Sequence, residues 1–169
     1  MMAFSPEISA PPRRITILGS TGSIGCSTID IVERQPESFS VVALTAFSNV
    51  SLLAEQARKL QPELVVIGDE NRFKELKEVL SGSGMEIAAG REALIEAAKR
   101  PSDFIMAAIV GAAGLEPTLA AVRRGATVGL ANKECLVCAG DLMKAELEKS
   151  GSTLLPVDSE HSAIYQVFD

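Results

Sequence analysis

Residues 15–25 read Ile15-Thr16-Ile17-Leu18-Gly19-Ser20-Thr21-Gly22-Ser23-Ile24-Gly25, and a segment of helical period follows them. A short β-branched run, a glycine-rich turn and a helix start come in the order that a dinucleotide site requires. Glycines permit a tight turn and a close backbone approach, and free N–H groups at the helix start face the pyrophosphate. The glycines are spaced three and three, a variant of the commoner G-x-G-x-x-G pattern. The plainer reading is a glycine-rich connection; the strand before it and the helix after it favour the cofactor.

Working outward, the same alternation fills the chain. Apolar, β-branched runs at 15–18, 40–45, 64–67, 86–88, 104–108, 127–130 and 153–155 predict strands. Segments at 24–34, 51–60, 70–80, 91–99, 116–124 and 141–149 predict helices, with Phe73, Leu76 and Leu80 on one face. Such alternation with near-continuous apolar strands predicts an α/β fold: a Rossmann-like, doubly wound, mainly parallel sheet with helices on both faces. Residues 1–13, with Pro6, Pro11 and Pro12, read as a flexible arm without the apolar stretch of a secretory signal. Arg13-Arg14 precedes too short an apolar segment to make a twin-arginine export signal.

The 169 residues carry 22 acidic and 16 basic side chains, a net charge of −6, and 47% are hydrophobic. That balance excludes a disordered chain, and the scattered basic residues give no footprint for nucleic acid or an anionic membrane. The longest uncharged apolar run, 104–115, holds 12 residues, short of the ~20 that a bilayer crossing needs. Three cysteines, Cys26, Cys135 and Cys138, cannot all pair within one chain, so a reducing, cytoplasmic setting is expected. Cys135 and Cys138 match C-x-x-C but read as two buried small residues rather than a redox pair or half a zinc site.

Ligands of an open parallel sheet collect beyond the carboxyl ends of its strands, and four further segments arrive there. After the second strand stand Thr45-Ala46-Phe47-Ser48-Asn49. No carboxylate is present to hold a ribose 2′-hydroxyl, which favours NADP over NAD, although no Arg or Lys is there either; Ser48 or Asn49 serves equally as a helix cap. The small residues 108–114 allow a flat ring or ribose to lie against backbone, or a close helix packing. Asn132-Lys133-Glu134 places three polar side chains at another strand end, where the plainer reading is a solvated lysine beside a glutamate. In Asp158-Ser159-Glu160-His161 two carboxylates spaced two apart suit Mg²⁺ or Mn²⁺. By spacing alone, however, a helix cap explains them as well.

Taken together, residues 19–25, 106–114, 130–134 and 155–161 resemble the 1-deoxy-D-xylulose 5-phosphate reductoisomerase family, in matching order from about Arg14 to Asp169. The resemblance implies conversion of a ketose phosphate to 2-C-methyl-D-erythritol 4-phosphate, in non-mevalonate isoprenoid biosynthesis. It implies NADPH, a divalent metal (Mn²⁺, Mg²⁺ or Co²⁺) and a homodimer. By position it assigns Gly19, Thr21, Gly22, Ser23, Ile24, Ser48, Asn49, Asn132 and Glu134 to NADPH. Lys133, Ser159 and Glu160 fall to the substrate, and Asp158 and Glu160 to the metal, so that Lys133, Asp158 and Glu160 form the catalytic set. Residues 14–155 are then the NADPH-binding unit and 156–169 the beginning of a catalytic one. The chain departs from the family at Phe47 and Ser48, where a glycine and a basic residue are common, and at Cys135, where serine is usual. It is also shorter than the family's members, which leads us to expect no turnover from these residues alone. Two rivals stand beside this reading: an NADP-linked reductase of another family, and a non-catalytic NADP-binding module.

Overall fold

The computed structural model describes residues 11–157. Seven strands, β1 (Arg13–Leu18), β2 (Phe39–Ala46), β3 (Leu64–Ile67), β4 (Glu86–Ala89), β5 (Phe104–Ala107), β6 (Thr127–Leu130) and β7 (Thr153–Pro156), form one sheet in the order β4-β3-β2-β1-β5-β6-β7. Every neighbouring pair is parallel. The sheet is therefore Rossmann-like and parallel throughout, as the continuous apolar runs require of strands covered on both sides.

The helices divide between the two faces. Helices α1 (Ser23–Arg34), α2 (Val50–Leu60) and α3 (Phe73–Val79) pack Ile29, Val32, Leu53, Ala57 and Leu76 against Ile15, Ile17, Val65 and Met106. On the opposite face α4 (Gly90–Lys99), α5 (Leu115–Arg123) and α6 (Glu134–Ser150) set Ala97, Ala98, Val122 and Met143 against Leu18, Val66, Ile105 and Val128. Alternate residues of a strand thus feed opposite cores. Small alanines on α4 and α5 let those helices lie close to the sheet.

Most element ends fall within one residue of the sequence expectation, and three differ by more or in kind. β1 begins at Arg13, inside the expected arm, because Arg13 and Arg14 pair with Phe39 and Ser40 and the Arg14 amide donates to Asp103 at 2.8 Å. The expected helix 70–80 is a 3-10 turn, Glu70–Arg72, followed by α3; Asp69 accepts from the Asn71 amide at 3.0 Å and tightens that first turn. Helix α6 begins at Glu134, seven residues before the expected Asp141, and is broken at Ala139 (φ −141°, ψ 30°). Ala139-Gly140 interrupts the apolar period, so only the second half is legible as helix.

Thr16 lies fully buried in β1, and its Oγ1 has no hydrogen-bond partner among the described residues. A buried hydroxyl left unpaired costs about 1–3 kcal/mol. Thr16→Val keeps the branched shape and removes that penalty, so it should stabilise the protein by about 1 kcal/mol. Urea unfolding checks this: the midpoint should rise at constant m-value.

Candidate functional site

The strand order reverses direction at β1: β2 lies on one side of it and β5 on the other. The crevice beyond the carboxyl ends of β1 and β5 is the switch point where such sheets bind ligands, and the glycine loop occupies it. Gly19 has φ +85°, and a Cβ there would meet the Ala108 carbonyl oxygen at 2.7 Å. A Cβ on Gly25 would meet the Gly19 oxygen at 2.2 Å. Those two glycines are demanded by the fold itself. Gly22 is different, since a Cβ there touches nothing closer than the Gly19 oxygen at 3.4 Å; its bare backbone faces outward.

The loop is held from behind. Gly19 N–H donates to Thr45 Oγ1 at 2.9 Å and Ser20 N–H to the Thr45 carbonyl at 2.7 Å. Gln56 of α2, 4% exposed, accepts from Ser20 Oγ at 2.7 Å and donates to the Ser20 carbonyl at 3.0 Å. The Gly22 carbonyl accepts from Cys26 N–H at 2.8 Å, and no side chain caps α1. The amides of Thr21, Ser23, Ile24 and Gly25 have no partner among the described residues. Four donors at the positive end of a helix are a cradle for an anion.

At the end of β2, Phe47, Ser48 and Asn49 are exposed, Phe47 by 73%. Asn49 Oδ1 accepts from Leu52 N–H at 3.1 Å, so Asn49 caps α2. The carboxylate at the neighbouring end of β3, Asp69, accepts from Asn71 Nδ2 at 2.9 Å.

Beyond β5 and β6 the structure separates three side chains that the sequence grouped. Lys133 and Glu134 are exposed, whereas Asn132 is 3% exposed. Asn132 Nδ2 donates to the Ile109 and Gly111 carbonyls at 2.6 and 2.8 Å, and its Oδ1 accepts from Glu134 N–H at 3.0 Å. It ties the loop after β5 to the start of α6. Val157 N–H reaches the Leu130 carbonyl at 3.0 Å, so the described chain ends at this same carboxyl edge. Asp158, Ser159, Glu160 and His161 lie outside the described residues. No group of three or more metal-ligating side chains occurs among the described ones, and none of their helices is long and apolar enough to cross a membrane.

The C-x-x-C pair needs correction. Cys135 is buried and its thiol is pushed up by burial, but Cys138 is exposed one turn into α6. Thiol alkylation should therefore modify Cys138 quickly and leave Cys135 protected until unfolding, since only an accessible thiolate reacts. Peptide mass mapping after a short pulse of iodoacetamide checks it.

Two site residues, Thr45 and Gln56, were not singled out by sequence. Gln56 carried a signal, a polar amide among Leu53, Ala54 and Ala57 on the buried face of α2.

A doubly wound, Rossmann-like α/β domain with a glycine loop opening its first helix is the class that this geometry defines. The sequence profile of 1-deoxy-D-xylulose 5-phosphate reductoisomerase matches residues 15–140, and the chain belongs to that family. The enzyme of that name from Rhodospirillum centenum is 61% identical over 157 residues, covering 93% of this chain and 39% of the relative. That from Rhizobium meliloti is 60% identical over 159 residues, covering 93% and 41%. Among solved structures, the reductoisomerase from Zymomonas mobilis in complex with NADPH superposes with TM-score 0.93 at 53% identity, covering 95% of this chain and 42% of that one. A reductoisomerase in complex with NADPH, fosmidomycin and magnesium gives 0.87 at 43% identity, covering 91% and 38%. The chain spans about two-fifths of the length of the curated relatives it matches. A reductase of another family is excluded by these matches.

Proposed function

We propose that the chain binds NADPH and forms the cofactor-binding part of an enzyme that converts 1-deoxy-D-xylulose 5-phosphate to 2-C-methyl-D-erythritol 4-phosphate. The carrying observation is the glycine loop: four amides at the switch point with no partner among the described residues, beside an outward-facing Gly22 that packing does not require. Residues 14–155 are the NADPH-binding unit on this reading, and 156–169 open the catalytic one. A homodimer in the cytoplasm fits the family.

The residues present fit the cofactor. The Thr21, Ser23 and Ile24 amides hold pyrophosphate oxygens where Gly19 and Gly22 permit close approach, and Ser48 with Asn49 borders the adenosine 2′-phosphate. Glu134 and the remaining lone pair of Asn132 Oδ1, just beyond β6, would meet the cofactor. Lys133, exposed at the same edge, supplies a cation for substrate oxygens, with Ser159 and Glu160 completing the substrate contacts. Bound NADPH would supply a hydride, and Asp158 with Glu160 would hold a divalent ion (Mg²⁺, Mn²⁺ or Co²⁺) that supplies Lewis acidity.

Calorimetry tests the cofactor reading. NADPH should bind more tightly than NADH by only a few-fold, since residues 47–49 hold neither a carboxylate to repel the 2′-phosphate nor an Arg or Lys to attract it. Equal affinities would remove the 2′-phosphate contact, and absence of binding would remove the cofactor. Lys133→Ala should leave NADPH affinity nearly unchanged and, in turnover, raise KM for the ketose phosphate or lower kcat. A loss confined to NADPH would reassign Lys133 to the cofactor.

A further inference from the structure

Gln56 sits 36 residues along the chain from Ser20, on a different helix from the one the glycine loop opens, yet its whole amide is spent on that loop. Its Oε1 accepts from Ser20 Oγ, its Nε2 donates to the Ser20 carbonyl, and the same Nε2 lies 3.9 Å from Cys26 Sγ. The Cys26 thiol also approaches the Ser20 carbonyl, at 3.6 Å. Ser20 is fully buried. Its carbonyl is thus fixed toward the protein interior by two donors.

A trans peptide is planar, and its C=O and N–H point in opposite directions. Fixing the Ser20 carbonyl inward therefore fixes the next N–H, that of Thr21, outward into the crevice. Thr45 acts on the preceding residues, drawing the Gly19 and Ser20 amides inward, so that the first outward amide of the loop is Thr21's. We propose that Gln56 is a positioning residue for cofactor binding: through the Ser20 carbonyl it aims the Thr21 N–H at a phosphate oxygen of the dinucleotide. Preorganised donors bind an anion without first breaking bonds to water or to one another. Without Gln56 the Ser20 carbonyl keeps only the weak Cys26 thiol donor, so the Ser20–Thr21 peptide is held loosely and the Thr21 N–H is no longer aimed.

The inference rests on the NADPH reading, and the test separates the two. Gln56→Met preserves length and bulk but neither donates nor accepts strongly. NADPH should bind to it at least about tenfold more weakly by calorimetry, measured well below its unfolding temperature. Adenosine 2′-monophosphate, which has the adenosine end and no pyrophosphate, should keep its affinity. In the unaltered protein, NADPH should shift the Thr21 amide resonance among the most strongly perturbed; this measurement decides the matter if Gln56→Met does not fold. Unchanged NADPH affinity in Gln56→Met, an equal proportional loss of adenosine 2′-monophosphate, or an unmoved Thr21 amide would overturn the role of Gln56. Failure of the unaltered protein to bind NADPH would overturn the functional reading beneath it.

Discussion

Gly22→Val should weaken NADPH binding by about a hundredfold or more, equivalent to about 2.7 kcal/mol, while the protein stays folded. The backbone at Gly22 is extended (φ −78°, ψ 172°), a conformation that valine adopts readily. A Cβ there has ordinary van der Waals space. The N-cap position loses little, because no side chain caps α1 at present and replacing Gly at an N-cap costs at most about 1 kcal/mol. What the valine occupies is the outer side of the loop, where a pyrophosphate must come within hydrogen-bond distance of backbone. Calorimetry with NADPH, paired with thermal unfolding, reads both quantities. Unchanged affinity with an intact fold would show the loop to be merely a turn.

Gly25→Ala provides the contrast. Its Cβ would stand 2.2 Å from the Gly19 oxygen and 2.6 Å from the Ser20 Cα, both backbone atoms, so α1 cannot pack as it does. This variant should lose stability and binding together. The two glycines look alike in the sequence, yet one is kept open for a ligand and the other for a peptide.

That pair illustrates what was legible before the structure. The order of strands and helices could be read because parallel strands buried on both sides are continuous apolar runs, and because their crossovers repeat a helical period. The start of α6 could not. Its cap is supplied by Asn132, whose Oδ1 takes the Glu134 amide, and Lys133-Glu134-Cys135 offers no cap or period of its own. The glycine loop was legible from spacing and position. The residues that stiffen it were not: Thr45 and Gln56 act from 26 and 36 residues away, and a local motif contains nothing that depends on such distances. Asn132 has a second task that the sequence does not show. Its polarity and its place beside Lys133 suggest a ligand contact, and its side chain also ties the loop after β5 to the start of α6.

Asn132→Ala should accordingly destabilise the fold by about 2–4 kcal/mol, since it removes three hydrogen bonds of about 1 kcal/mol each and strands partly buried carbonyls. The Ile109 and Gly111 carbonyls lose their donor, and Glu134 N–H loses its acceptor. The loop after β5 and the first turn of α6 would then part. Asn132→Asp sharpens the expectation. An ionised carboxylate would place an oxygen where Nδ2 now stands, against two carbonyl oxygens, so its charged form is disfavoured in the fold and its pKa lies above the unfolded value of ~3.9. The folded state then binds more protons than the unfolded one between those two values, and stability rises as pH falls through that window. Urea unfolding of Asn132→Asp should therefore improve on acidification relative to Asn132→Ala, because the protonated acid donates to one of the two carbonyls. Equal pH dependence in the two variants would show that the Asn132 clamp is absent in solution, and with it the geometry that presents Lys133 at the edge of the crevice.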